Sequence, residues 1–199
     1  MIALVLADCH GTVPAWPTET PDVLLFLGDN SGVERLALQR FPRVPAFGVP
    51  GNHDSPDVYK GLPVENLHGR VATLNGLTFA GLGGSLRYKQ GRRFSWLFTE
   101  QEYRAILAKM RRVDVCIAHA PPVGAPGTVY VQGGLLSAIS KLLQPRILYE
   151  AHEGNKALRQ YVIRKRPGIL LYGHLHRKDQ WRIAETQIMG VFEVSTLRL

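Results

Sequence analysis

The sequence contains no long apolar segment. No run approaches the roughly 18 consecutive apolar residues that a membrane-spanning helix requires. The first apolar run ends at Asp8 and has no positively charged residues ahead of it, unlike a secretory signal. We therefore expect a cytoplasmic protein that has no membrane partner.

Cysteine is also scarce, since Cys9 and Cys116 are the only two in 199 residues and form no CxxC pair. In the absence of a secretory leader, this pattern favours buried free thiols over a disulfide. Successive side chains of an extended segment point to opposite faces. Cys9 is therefore expected to pack away from its neighbours Asp8 and His10.

Three catalytic signatures are missing. There is no GxSxG pattern, so a serine nucleophile has no support. His152 and Glu153 are followed by Lys156 where a zinc protease needs its second histidine. The glycine-rich segment 81–88 matches neither a dinucleotide fingerprint nor a phosphate loop, and we expect a turn there.

The composition is that of an ordinary globular protein, with 45% hydrophobic and 20% charged residues. The length favours one domain over residues 1–199. The 24 basic and 16 acidic residues give a formal charge of +8, which favours anionic partners. Nucleic acid, a phosphate-bearing small substrate and a merely solvated surface all remain open, and no nucleic-acid-binding motif accompanies the charge.

Apolar segments alternate with segments of helical periodicity, which predicts an α/β fold. Strands are predicted at 2–7, 23–27, 44–49, 77–82, 113–118, 168–172 and 188–194, and helices at 31–40, 99–112, 134–143 and 154–166. Three prolines in 11–22 predict a loop instead of a helix in the first crossover. The apolar stripe in 134–143 is assigned to core packing, with a homodimer contact or a lid left open.

Polar residues that can bind metals follow five of the predicted strands. In open α/β sheets, the carboxyl ends of the strands meet at one edge, where ligands bind. We therefore expect these side chains to gather there. They are Asp8 and His10, Asp29, Asn52 and His53, His119, and His174 and His176.

This donor set contains oxygen and nitrogen but no thiolate. It suits manganese, iron, cobalt, nickel or zinc better than magnesium, calcium or copper(I). A pair of ions about 3.5–4 Å apart would need a shared carboxylate, and such a pair is suited to phosphoryl displacement.

The motifs DxH at 8–10, GDN at 28–30, GNHD at 51–54, the isolated His119 and GHLH at 173–176 resemble those of the calcineurin-like metallophosphoesterases, in the same order. The resemblance implies a four-layer α/β/β/α sandwich of two mixed sheets flanked by helices. It also implies two divalent transition-metal ions, with manganese favoured. One ion would be bound by Asp8, His10, Asp29 and His176, and the other by Asp29, Asn52, His119 and His174.

The resemblance also implies a mechanism, in which a hydroxide bridging the metals attacks phosphorus. His53 would be the catalytic histidine that protonates the leaving oxygen, and Asp54 is expected to orient it. Asn30, Arg87 and Tyr88 are predicted to contact the substrate. His68 is expected to be an ordinary surface residue of a loop.

The favoured function is a metal-dependent phosphodiesterase acting on a small or nucleotide-like phosphate ester. A nuclease acting on DNA or RNA is the alternative that the positive charge suggests. A phosphomonoesterase or protein phosphatase, and a protein-binding scaffold that has no activity, are further alternatives. The complete ligand set is evidence against the scaffold.

Overall fold

The computed structural model describes residues 1–88, 96–127 and 154–199. In this part of the chain the strands are β1 (Ile2–Ala7), β2 (Val23–Phe26), β3 (Ala46–Gly48), β4 (Glu65–Asn66), β5 (Val71–Leu74), β6 (Leu77–Leu82), β7 (Ser85–Leu86), β8 (Leu97–Phe98), β9 (Val115–Ala118), β10 (Ile169–Tyr172), β11 (Asp179–Ile183), β12 (Thr186–Gly190) and β13 (Glu193–Arg198). The helices are α1 (Val33–Arg40), α2 (Glu100–Ala108) and α3 (Lys156–Lys165).

Two large sheets carry the fold. The first has the strand order β13-β1-β2-β3-β4, in which β13 alone runs antiparallel to its neighbour. The second has the order β11-β12-β10-β9-β6-β5, with a parallel centre and antiparallel edge strands β11 and β5. Both sheets are therefore mixed, as predicted. Strands β7 and β8 form a separate parallel pair.

The two sheets pack face to face through the inward side chains of their central strands. Val5 and Leu25 from the first sheet share this apolar layer with Phe79, Ile117 and Leu171 from the second. All five are buried. These strands are covered on both faces, which explains why their sequences are almost continuously apolar.

The outward faces of the two sheets are covered by helices. Leu4 and Leu6, which alternate with Val5 on β1, pack with Ala37 of α1. On the other side, Cys116 and Leu170 pack with α2 and α3. The arrangement confirms the predicted α/β/β/α sandwich. Cys9 and Cys116 are both free and buried, as expected, and Cys9 packs in the layer beside α1.

Most predicted strands are confirmed, and those at 2–7 and 77–82 agree in both bounds. Segment 11–22 contains no helix or strand, also as predicted. The single strand predicted at 188–194 is wrong, because β12 ends at Gly190 and β13 begins at Glu193 in the other sheet. The helix predicted at 134–143 lies outside the described residues.

Helices α2 and α3 are tied together at their first turns. Thr99 and Glu102 form a reciprocal capping box at the start of α2. The Glu100 carboxylate accepts the backbone N–H groups of Lys156 (2.7 Å) and Ala157 (2.9 Å) at the start of α3. The carboxylate thus satisfies two N–H groups that have no partner within the helix. Among the described residues, no helix has the length and apolar character needed to cross a membrane.

Candidate metal centre

The loops that follow β1 and β2 are bonded to each other along the backbone. Asp8 N donates to Gly28 O, and His10 N donates to Asp29 O, both at 3.0 Å. Asp8, His10 and Asp29 all have positive φ, between 46° and 55°, a conformation that is uncommon for non-glycine residues. Unusual backbone conformation at several polar residues that lie close together is typical of functional sites.

One group of donors joins the first loop to the last motif. The donor atoms of Asp8, His10 and His176 lie within 4.8 Å of one another. His10 Nε2 and His176 Nε2 are 3.1 Å apart, and His176 Nε2 is 3.7 Å from Asp8 Oδ1. Asp8 Oδ1 is buried and accepts no hydrogen bond from any residue that the structure describes. A cation between these atoms would compensate the buried oxygen, whose isolation is otherwise unfavourable.

A second group comprises Asp8, Asp29 and His119, whose donor atoms are again within 4.8 Å of one another. His119 Nε2 is 2.8 Å from Asn52 Oδ1 and 3.4 Å from Asp29 Oδ2. Its Nδ1 is 2.7 Å from Leu27 O. Both ring nitrogens therefore face acceptors, which favours the protonated form of the ring. With a metal at Nε2, the bond from Nδ1 to Leu27 would orient the ring.

Burial and charge shift the pKa values of these groups strongly. Burial raises the pKa of Asp8 to about 7, against the opposing effect of His119. Burial also acts to raise the pKa of Asp29, but the charge and hydrogen bond of His119 lower it below its ordinary value. Burial disfavours protonation of His119, yet mainly Asp29 raises its pKa to about 9. In the absence of metal, these shifts favour proton binding by Asp8 and His119, where cations could bind.

The remaining histidine predicted to be a ligand, His174, lies beside both groups. Its backbone N–H donates to Asp8 Oδ2 at 2.6 Å, and its ring centre is 5.0 Å from that of His119. Gly173 approaches Asp8 so closely that a Cβ there would stand 2.6 Å from Asp8 Oδ2. The structure therefore brings all seven predicted ligand residues to one edge of the two sheets. Their oxygen and nitrogen donors fit divalent transition-metal ions.

His53 is exposed at the rim of this cluster. Its backbone N–H donates to Asp29 Oδ1 at 2.9 Å, and its ring centre is 6.2 Å from that of His10. The expectation that Asp54 orients this ring is wrong for the described residues. No hydrogen bond joins the two side chains, and the Asp54 carboxylate accepts backbone N–H groups instead.

The three predicted substrate contacts occupy different positions. Tyr88 lies at the cluster, where its hydroxyl accepts the Asn52 amide N–H at 3.2 Å. Asn30 is buried, and its Oδ1 accepts Cys9 N at 3.4 Å. The Arg87 guanidinium donates to Leu97 O and forms an ion pair of 3.2 Å with Glu102. Contact of these residues with a substrate stays a prediction.

His68 was expected to be an ordinary surface residue of a loop, and this expectation is wrong. The residue is half-buried, its Nδ1 accepts Gly83 N at 2.9 Å, and its ring stacks on Phe98 with centres 5.0 Å apart. Burial lowers the pKa of His68. The sequence signal was weak, because Phe98 is thirty residues away. The stacking of Phe192 on His176, with ring centres 5.4 Å apart, was not predicted from the sequence either.

Solved structures share this fold over nearly the whole chain. They include TT1561 of Thermus thermophilus (TM-score 0.63, 13% identity) and the phosphopantetheinyl hydrolase PptH of Mycobacterium tuberculosis (0.60, 14%), each covering 96% of this chain and 89% of that chain. The purple acid phosphatase PPD1 of yellow lupin matches with a TM-score of 0.53 and 15% identity, over 96% of this chain and 43% of its own. At these identities the likeness concerns the fold alone.

The fold and the clustered donors agree with the resemblance to the metallophosphoesterases that the sequence motifs indicate. A family model described as calcineurin-like phosphoesterase matches residues 3–178. The chain belongs to the calcineurin-like phosphoesterase family. No curated protein matches the sequence.

Proposed function

We propose that the protein is a metal-dependent phosphodiesterase that hydrolyses a small or nucleotide-like phosphate ester. The observation that carries this proposal is the meeting of Asp8, His10 and His176 with Asp29 and His119 in two groups of donors. The buried Asp8 Oδ1, which accepts no hydrogen bond within the described part of the chain, supports a cation at the same place. The small size of the chain supports a compact substrate.

We assign the metal ligands in two sets. One ion would be held by Asp8, His10, Asp29 and His176, and the other by Asp29, Asn52, His119 and His174. The carboxylate common to the two clustered groups is Asp8, whereas the assignment makes Asp29 the bridge. Support for Asp29 comes from its position within 4.8 Å of donors on both Asp8 and His119.

The bound ions would act as Lewis acids toward phosphoryl oxygens and would activate water. The chain's own residues provide orientation and a proton. The Asn52 side chain is fixed at both ends, by His119 and by Tyr88, so its Oδ1 is aimed into the cluster. The exposed His53 ring would donate a proton to the leaving oxygen, and the bond from His53 N to Asp29 holds it beside the site.

Hydrolysis of a model diester tests this proposal. Protein loaded with manganese should cleave bis-p-nitrophenyl phosphate faster than the monoester p-nitrophenyl phosphate. Faster cleavage of the monoester would favour a phosphomonoesterase. Inactivity on both esters with manganese, iron, cobalt, nickel and zinc would contradict hydrolysis altogether.

A nuclease is the second candidate, because the helical layer carries a basic groove. This groove, of about 550 Å³, lies between α2 and α3, and Arg104, Arg164 and Lys165 contribute to its lining. Binding of nucleic acid there should weaken steeply with salt, with a logarithmic slope of about −0.9 per phosphate contacted on duplex DNA. The absence of such binding would remove this candidate.

A further inference from the structure

Asp54 touches two loops that carry candidate metal ligands. Its Oδ2 accepts the backbone N–H of Gly51 at 2.8 Å and that of Asp29 at 3.0 Å. The bond to Gly51 spans three residues and could belong to any local turn. The bond to Asp29 spans 25 residues and therefore joins the loop after β3 to the loop after β2.

A bond in the opposite direction completes the connection. Asp29 Oδ1 accepts the backbone N–H of His53 at 2.9 Å, so each loop provides a carboxylate to the other. The backbones also approach closely. A Cβ on Gly51 would stand 2.0 Å from Asp29 Oδ1, and one on Gly28 would stand 2.2 Å from Gly51 N. Hydrogen bonds from backbone N–H to a carboxylate are among the stronger ones in proteins.

We propose that Asp54 is a positioning residue that sets the distance between Asp29 and the pair Asn52 and His53. In the absence of the Asp54 carboxylate, the N–H groups of Asp29 and Gly51 lose their acceptor, and the two loops lose one side of their reciprocal connection. The effect on catalysis rests on the proposed function. The effect on the loops and on metal binding does not depend on the proposed function.

The experiment compares Asp54→Ala with Asp57→Ala as the matched control. Asp57 lies three residues further along the same loop and is exposed, and its carboxylate is 4.0 Å from the Lys60 ammonium. Both variants lose one carboxylate. The readouts are amide hydrogen exchange at Asp29 and Gly51, the manganese dissociation constant, and kcat and KM for the diester.

In Asp54→Ala, the backbone amide hydrogens of Asp29 and Gly51 should exchange with solvent at least tenfold faster than in the parent protein. Its manganese dissociation constant should rise about 10- to 100-fold, as expected when a residue that orients metal ligands is lost. Its kcat should fall while KM changes little, and Asp57→Ala should leave every readout unchanged. Unchanged exchange and metal affinity in Asp54→Ala would overturn the proposal. If the parent protein does not hydrolyse the diester, amide exchange and manganese affinity still decide whether Asp54 positions the two loops.

Should Asp54→Ala fail to fold, Asp54→Asn and Asp54→Glu carry the test. Asparagine keeps an oxygen acceptor at the same distance from the backbone, whereas glutamate keeps the charge but places it one methylene further out. Positioning predicts that Asp54→Asn lies closer to the parent than Asp54→Glu in amide exchange and manganese affinity. The reverse order would show that charge alone matters and would overturn the proposal.

Discussion

Asp8 and Asp29 offer oxygen atoms within 4.8 Å of each other, yet their pKa values shift in opposite directions. Both carboxylates are buried, so solvent exposure does not distinguish them. The difference lies in their partners, because His119 pairs with Asp29 at 3.4 Å while, over the described ranges, Asp8 Oδ1 accepts no hydrogen bond. In protein without bound metal, the raised pKa of His119 therefore favours a positive charge on its ring.

The stability of the metal-free protein should fall as pH rises from about 6 to 9. The pKa of His119 is raised from 6.5 to about 9, so the folded protein binds more protons than the unfolded chain in this window. The resulting stability is fully present below 6.5 and is lost as pH rises toward 9. Asp8, with its pKa raised from 3.8 to about 7, acts in the same direction between those values.

Thermal unfolding of chelator-treated protein at several pH values measures this dependence. His119→Gln should flatten the part of the decline that lies between pH 6.5 and 9. A Tm that rises over the same window would contradict the assignment of charge to His119.

Two substitutions separate metal binding from proton donation. Asp29→Asn should lower the content of both metal ions, because Asp29 is the proposed shared ligand. His53→Ala should keep the metal content of the parent while lowering kcat about a hundredfold or more, as loss of a general acid does. Elemental analysis and kinetics on the same preparations measure both effects. Equal metal loss in the two variants would show that His53 is a ligand.

The elements show which features the sequence determines locally. Strand β1 was predicted correctly because its apolar run is continuous and ends at Asp8, and β6 because its largely apolar run, which contains Thr78 and Gly81, ends at Gly83. The short strands β4, β7 and β8 have only two residues each and carry no periodic signal. The pair β12 and β13 was predicted as one strand because Val191 and Phe192, which connect them, are apolar as well.

The candidate ligands were predictable because each follows a strand directly in a short polar motif. The contacts of Asp54, His68 and Phe192 were not predictable in the same way. Each of these contacts joins residues from distant parts of the chain, and their geometry depends on how the loops pack. Sequence spacing therefore predicts which residues meet at the sheet edge, but not the bonds that hold them there.

The close approach of the loops after β2 and β3 should make Gly28 intolerant of a side chain. Gly28 has φ of 91°, and a Cβ there would stand 2.2 Å from Gly51 N. Gly76 has a similar φ of 83° but has nothing within 4 Å of its Cβ position. Gly28→Ala and Gly76→Ala both place alanine at a positive φ and so strain the backbone. Only Gly28→Ala should also weaken manganese binding. Titration calorimetry compares them, and equal affinities would contradict the close contact.

The bond between the two helices predicts a local effect on stability. Glu100→Gln replaces the carboxylate that accepts two N–H groups at the start of α3, and it should lower the free energy of unfolding by about 1 kcal/mol. Glu185→Gln is the control, because the partner of that carboxylate among the described residues is the exposed Arg166 at 3.2 Å. The control should change stability by less than about 0.5 kcal/mol. Urea unfolding measures both, and an equal loss would contradict the capping role.

Across the whole molecule, the site depends on contacts between distant parts of the chain. Asp8 and His174 are 166 residues apart, yet His174 N donates to Asp8 Oδ2. The first sheet contributes the loops after β1, β2 and β3, and the second contributes those after β9 and β10. Packing of the two sheets against each other therefore determines whether the donors meet.

Anomalous diffraction from crystals soaked in manganese tests the central claim most directly, because it locates the ions without reference to activity. The account predicts two peaks, one among Asp8, His10, Asp29 and His176, and the other among Asp29, Asn52, His119 and His174. Absence of any peak at these residues in well-soaked crystals, or peaks confined to other parts of the molecule, would contradict it.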